Sequence, residues 1–181
     1  MRLEYFQLVD RFYDVEPDNK RIKSVCIVPQ ESTVFEGHFP GYPLMPGVML
    51  IECMAQTCGW LVSGLTGFVG LPVLAGVKEA KIRTAVFPGD QLDFAGEVIH
   101  EGSGYAMAKC KGRRNNEAVC DAQLTYRIVP YPSPVFRQTL REWAARIEFP
   151  LDAFPLKDLA PKEPAPKDQA PKDPAPKEPV R

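Results

Sequence analysis

Histidine is scarce in this chain: His38 and His100 are the only two in 181 residues. No Cys-x-x-Cys pair occurs, and the cysteines (Cys26, Cys53, Cys58, Cys110, Cys120) are odd in number. Neither zinc-ligand spacing nor a disulfide framework is present, so no metal is expected. The thiols fall in apolar or alternating segments and read as reduced core residues of a cytoplasmic protein. An excess of one charge is also missing. A formal net charge of -1 gives no bulk reason to expect a nucleic acid or an anionic membrane as partner. Phosphate-binding glycine loops, dinucleotide fingerprints and Gly-x-Ser-x-Gly elbows are absent, and no cofactor is expected. The opening Met-Arg-Leu-Glu-Tyr-Phe-Gln lacks an apolar signal core, so no secretory leader is expected.

One stretch, Val48 to Val77, is almost free of charge. As a membrane span it would place Glu52 in hydrocarbon at a cost of about 2.5–3.5 kcal/mol. Gly64, Gly67, Gly70 and Pro72 break its second half into loop. No membrane span is expected.

Three regions differ in texture. Residues 1–130 form the expected main domain. Ile22 to Val28 is a β-type run that stops at Pro29. After the Gly-rich connection, Ala80, Ile82, Thr84 and Val86 alternate, as do Leu92, Phe94, Gly96 and Val98. Ala118 to Ile128 repeats the pattern, and period two predicts strands with one buried face. Turn residues at Pro88-Gly89-Asp90, Gly102-Ser103-Gly104 and Arg114-Asn115-Asn116 predict an antiparallel meander. Residues 131–150 form an amphipathic helix. Ser133 is placed to cap it, Pro134 opens it, and Phe136, Leu140, Trp143 and Ile147 recur at i, i+4, i+7 and i+11, a face that should dock on the main domain. Residues 151–181 are expected to be a disordered tail, because Ala-Pro-Lys-Glu/Asp-Pro/Gln repeats four times from Ala160 to Pro179.

The chemistry is concentrated between Gly37 and Gln56. His38 sits between Gly37 and Phe39-Pro40-Gly41, where restricted backbone freedom can hold an imidazole in place. Pro46-Gly47 opens a helix of roughly 18 residues, about 27 Å long. Its large apolar residues cover nearly every side, so it should be buried almost all round. Glu52 is the one formal charge in that helix. A buried carboxylate pairs, protonates or has a task. The first N–H groups of the helix, at Gly47, favour a developing negative charge.

Gly37-His38-Phe39-Pro40-Gly41, Met45-Pro46-Gly47-Val48 and Glu52 with Ala55-Gln56 resemble the active-site block of the beta-hydroxyacyl-acyl-carrier-protein dehydratases of the FabA/FabZ type. Gly76-Val77-Lys78-Glu79-Ala80-Lys81-Ile82, Pro88-Gly89-Asp90-Gln91-Leu92 and Val119-Cys120-Asp121-Ala122-Gln123-Leu124 are similar to later segments of that family. The resemblance implies an α+β hotdog fold, an antiparallel sheet wrapped around one long buried helix. It implies His38 as the base at the α-carbon and Glu52 as the group handling the β-hydroxyl. Gly47 would supply an oxyanion N–H, Gln56 would orient the carboxylate, and Phe39 and Val48 would touch substrate. Glutamate rather than aspartate at 52 resembles the dehydratase-only branch. The substrate implied is a 3-hydroxyacyl chain on acyl carrier protein. The assembly implied is a homodimer with a composite active site, with a trimer of dimers as a larger option.

Lys78, Lys81, Arg83, Arg113 and Arg114 are candidates to dock the acidic carrier. Met49, Phe68, Phe87 and Phe94 are candidates to set tunnel depth. Arg83-Thr84-Ala85-Val86-Phe87 departs from the basic residue and proline usual before the Pro-Gly-Asp turn. The rival readings are a hotdog acyl thioesterase and a non-catalytic acyl-carrier-binding subunit.

Overall fold

The apolar stretch after Pro46 folds into one helix, and the remaining elements are arranged around it. In the computed structural model, which describes residues 1–154, the elements run β1 (Arg11–Glu16), β2 (Arg21–Ile27), α1 (Thr33–Gly37), α2 (Gly47–Leu65) and β3 (Leu71–Ile82). They continue with β4 (Gln91–Gly102), β5 (Tyr105–Arg114), β6 (Glu117–Val129) and α3 (Pro134–Arg146), with single 3-10 turns at Leu3–Tyr5 and Leu151–Ala153. The tail repeats lie outside the described residues.

Helix α2 buries Met49, Leu50, Cys53, Met54, Cys58, Leu61 and Val62. By length and composition it could cross a membrane, but 67% of that window is buried inside the protein, which accounts for its apolarity. Two hydroxyls fix it to the sheet. Thr57 donates to the Cys53 carbonyl at 2.8 Å, so its oxygen is left to accept from the buried Ser24 on β2, also 2.8 Å away. Two details differ from expectation at the first turn. Pro46 is the N-cap rather than the first helical residue, and Val48 is 73% exposed.

The six strands form one sheet in the order β1-β2-β4-β5-β6-β3, with every pairing antiparallel. The expected meander holds for β4, β5 and β6. Strand β3 instead leaves the end of α2 and pairs with β6, forming an edge of the sheet. It starts at Leu71, within the segment expected to be loop, and ends at Ile82, where alternation was expected to continue through Val86. Ala80 and Ile82 are exposed, and the buried Val86 belongs to the following loop. The reason is a bulge between Lys78 and Lys81, where Glu79 adopts φ 53°; the bulge breaks the two-residue period of an edge strand. The result is a sheet curved around one long helix, the arrangement that the family resemblance implies.

The C-terminal extension belongs to the same body. Ser133 caps α3 by accepting from the Phe136 N–H, as expected. The expected face docks unevenly. Ile147, at its end, is buried with the neighbouring Ala144, and the Ile147 carbonyl accepts from the Phe12 N–H at 2.8 Å, while Phe136 and Leu140 are half-buried and Trp143 is exposed. Beyond the helix, Phe149 sits among Phe12, Trp60, Phe68 and Phe154, with ring centroids 5.1–6.2 Å away. Phe154 is buried, so ordered structure continues past the boundary expected at residue 150.

Candidate active site

His38 is positioned from both sides. Ser32 caps α1 by accepting from the Val34 N–H, and the helix ends where the His38 N–H donates to the Val34 carbonyl. The chain then reverses through Phe39-Pro40-Gly41-Tyr42, closed by backbone hydrogen bonds in both directions between Phe39 and Tyr42. Proline at the second position and Gly41 at φ 76° at the third meet the demands of a type II turn. The Leu44 N–H donates to the His38 carbonyl at 2.9 Å, and the Met45 N–H donates to the Val86 carbonyl at 2.8 Å. The Tyr42 ring meets Phe87 edge-on at 5.7 Å. The departure at Ala85 to Phe87 therefore lies in the segment that braces this loop.

The imidazole Nδ1 lies 3.0 Å from the Leu44 carbonyl oxygen. A carbonyl only accepts, so Nδ1 is the donor, and in the neutral ring Nε2 is then the nitrogen with the lone pair. The half-buried ring stacks on Phe39, with centroids 4.1 Å apart. Such a histidine is set up as a base through Nε2.

Glu52 is half-buried on the second turn of α2. Its Oε1 accepts from Gln56 Nε2 at 3.0 Å, one helical turn on. Gln56 also donates from Nε2 to the Phe6 carbonyl at 2.7 Å, and its Oε1 accepts from the Leu8 N–H at 3.0 Å. One amide thus holds both the carboxylate and the N-terminal segment. Gly47 is the first residue of α2, so its N–H has no partner within the helix. A Cβ there would fall 2.5 Å from Ile82 Cδ1, so the helix start packs directly on β3. Phe39 is 51% exposed, in the turn that precedes the helix.

Glu52 and Gln56 line a cavity of about 210 Å³. Ala55, Gly59 and Ser63 of α2 continue its wall, with Leu74 of β3 and Tyr126 of β6. Of these, Ala55 lies in the block that resembles the family's active site, whereas Gly59, Ser63, Leu74 and Tyr126 carry no chemical signature in the sequence. A signal was available: at helical spacing from Glu52, one side of an otherwise bulky helix carries only small residues. Met49, Phe68, Phe87 and Phe94 do not line this cavity, and Met49, Phe68 and Phe94 are buried core instead. His38, Phe39, Gly47 and Val48 are not among the lining residues either. A single chain joins Gln56 to Glu52 but does not bring His38 into the cavity that Glu52 faces.

The basic candidates divide. Arg83 is paired with Asp121, and Arg114 with Asp90, while Arg114 also donates to the Ala85 carbonyl at 3.2 Å. Arg114 therefore braces the Pro88-Gly89-Asp90 turn. Arg113 donates to the Asn116 carbonyl at 2.9 Å within its own hairpin. Lys78 and Lys81 are exposed on β3. His100 is exposed and stacks on Tyr105 at 4.6 Å. Among the described residues no cluster of three His, Cys, Asp or Glu is arranged to hold a metal.

Comparison with known proteins agrees with this geometry. Residues 2–123 match the FabA-like domain. The chain is 38% identical over 128 residues to a 3-hydroxyacyl-[acyl-carrier-protein] dehydratase FabZ of Bacillus pumilus, covering 69% of this chain and 87% of that one. It is 35% identical over 130 residues to the protein of the same name in Symbiobacterium thermophilum, covering 71% and 91%. Among solved structures it is similar to the dehydratase heterocomplex ApeI:P from Xenorhabdus doucetiae, with a TM-score of 0.57, 18% identity, and 74% and 90% of the two chains covered. It is also similar to a hypothetical thioesterase with coenzyme A from Streptococcus pneumoniae, with a TM-score of 0.53, 17% identity, and 68% and 88% covered. Those structural likenesses establish the hotdog fold. The sequence matches go further: the chain belongs to the FabA-like family of FabZ-type dehydratases.

Proposed function

We propose that the protein removes water from 3-hydroxyacyl thioesters on acyl carrier protein, giving trans-2-enoyl thioesters for fatty acid synthesis. The observation that carries this reading is the His38 tautomer. With Nδ1 donating to the Leu44 carbonyl, Nε2 is the nitrogen left to act as a base on a braced loop. The Gly47 N–H polarises the thioester carbonyl and acidifies the neighbouring carbon. Nε2 takes the α-proton, the C–H electrons become the new double bond, and the β C–O bond breaks. Protonated Glu52 gives its proton to the leaving hydroxyl, and water departs. One proton is gained by His38 and one lost by Glu52, so exchange with solvent resets the pair.

The reading includes a homodimer in which His38 meets Glu52 of the partner subunit, with a trimer of dimers as a further level of assembly. Two features support it. His38 does not line the cavity that Glu52 lines. Edge strand β3 also leaves Val73, Val77 and Ile82 exposed, an unpaired apolar edge of the kind that a partner covers. A cytoplasmic location fits five buried, unpaired thiols. Phe39 and Val48 are the substrate contacts beside the loop, and exposed Lys78 and Lys81 are the better-placed docking charges for an acidic carrier.

The test is incubation of purified protein with a 3-hydroxyacyl carrier thioester, followed by mass spectrometry. Loss of water, abolished by His38→Ala, is the expected result. Release of free carrier without dehydration would establish a thioesterase. No change across several chain lengths would leave a binding subunit.

A further inference from the structure

The cavity beside Glu52 is walled in part by residues that the family match does not include. The match ends at residue 123, whereas α3 begins at Pro134. Phe136, Leu140 and Trp143 of α3 nevertheless line the same cavity as Glu52. They recur at i, i+4 and i+7, so they lie on one face of the helix. Along α2, the lining residues from Glu52 to Ser63 cover three turns, about 16 Å at 1.5 Å per residue. The void is therefore elongated along the buried helix, with a carboxylate near its start.

We propose that α3 closes the acyl-binding cavity beyond Glu52, with Leu140 and Trp143 setting how long an acyl chain the protein accepts. This rests on the dehydratase reading above. The anchoring of α3 extends beyond its cavity face. Ala144 and Phe149 are buried against the main domain outside the cavity lining, and Ile147 is buried at the end of the cavity face, while Phe136 and Leu140 are only half-buried and Trp143 is 36% exposed. Three large apolar side chains thus face a cavity without filling it, and an alkyl chain would complete their burial. The N-terminal segment narrows the same space. Gln56 holds the Phe6 carbonyl, and Arg146 donates to Gln7 Oε1 at 2.8 Å, so Phe6 and Gln7 are tied to both helices where they line the cavity.

The experiment is a chain-length profile of the full-length protein and two variants, using 3-hydroxyacyl carrier thioesters from short to long. Trp143→Ala enlarges the cavity, and the ratio of kcat/KM for long over short chains should rise about ten-fold. Leu140→Trp fills it, and the same ratio should fall by about as much. Trp143→Phe should restore the original profile, separating a wall effect from loss of the helix. In parallel, affinities are measured for unreactive S-alkyl pantetheine thioethers of increasing length. If the unaltered protein dehydrates nothing, the dehydratase reading fails while these affinities still test the wall. Profiles and affinities that keep the same length dependence in both variants overturn the proposal.

Discussion

The Phe154 ring lies where a side chain at residue 64 would begin: a Cβ on Gly64 would come within 2.6 Å of two of its ring carbons. The last buried aromatic of the C-terminal extension is thereby seated directly on the backbone of the core helix. Gly64→Ala should improve helix propensity by about 1 kcal/mol but force a buried, stacked ring aside at about 1–3 kcal/mol. Net destabilisation is expected in urea unfolding. In a Phe154→Ala background the same change should become stabilising, because only the propensity gain remains. A loss of stability in both backgrounds would contradict the contact.

Gln56 is the second point where distant segments meet, since it bonds Glu52, Phe6 and Leu8 together. Gln56→Leu keeps the volume but leaves the Leu8 N–H without its acceptor. A cost of about 1–3 kcal/mol is expected for that group. Hydrogen exchange at Leu8 should accelerate far more than exchange in β4 or β5, which are remote from the change. An unchanged Leu8 amide would show that the N-terminal segment is held some other way.

Much of this was readable in residue order, for reasons that can be located. Helix α2 was legible because burial on every side demands an unbroken run of apolar residues, and α3 because Ser133-Pro134 marks its start. Strand β5 was not singled out. Its inward positions are Ala106, Ala108, Cys110 and Gly112, too small to produce a strong alternation. Strand β3 was displaced in the reading because an edge strand with a bulge has no constant buried face. His38 and Glu52 stand out by chemistry, and Gln56 through the family resemblance. The cavity wall does not, because it joins residues 6 and 143 to residue 52, a juxtaposition set by tertiary packing rather than by any local pattern.

A composite site makes a quantitative prediction. His38→Ala and Glu52→Gln should each lower dehydration about 10²–10⁴-fold while leaving thermal stability nearly unchanged. Refolding an equal mixture of the two variants should restore about a quarter of the original activity: half the dimers are mixed, and each has one of its two sites intact. Sites contained within single chains would give no recovery. Val77→Glu on the exposed edge of β3 should weaken the dimer and dilute this recovery, as measured by light scattering.

The buried thiols predict how stability responds to alkali. Desolvation pushes Cys53 and Cys110 well above the ordinary thiol range, and burial pushes Cys120 up to about 12. Each is raised in the folded state, so below the unfolded value of 9.0 both states hold the proton and stability is at its full level. Above that value the unfolded chain loses the proton first and is favoured, and for Cys120 the loss continues until about pH 12. The slope should be about 1.4 kcal/mol per pH unit for each such thiol. Burial raises Tyr126 as well, which extends the decline upward in pH. Urea unfolding under reducing conditions should therefore give constant midpoints from pH 7 to the ordinary thiol range and falling midpoints beyond it. Cys120→Ala should flatten part of that fall, and iodoacetamide at neutral pH should leave all three thiols unmodified until the chain unfolds. Rapid labelling of Cys120 in the native protein, or a midpoint that does not fall with rising pH, would contradict the burial from which the prediction starts.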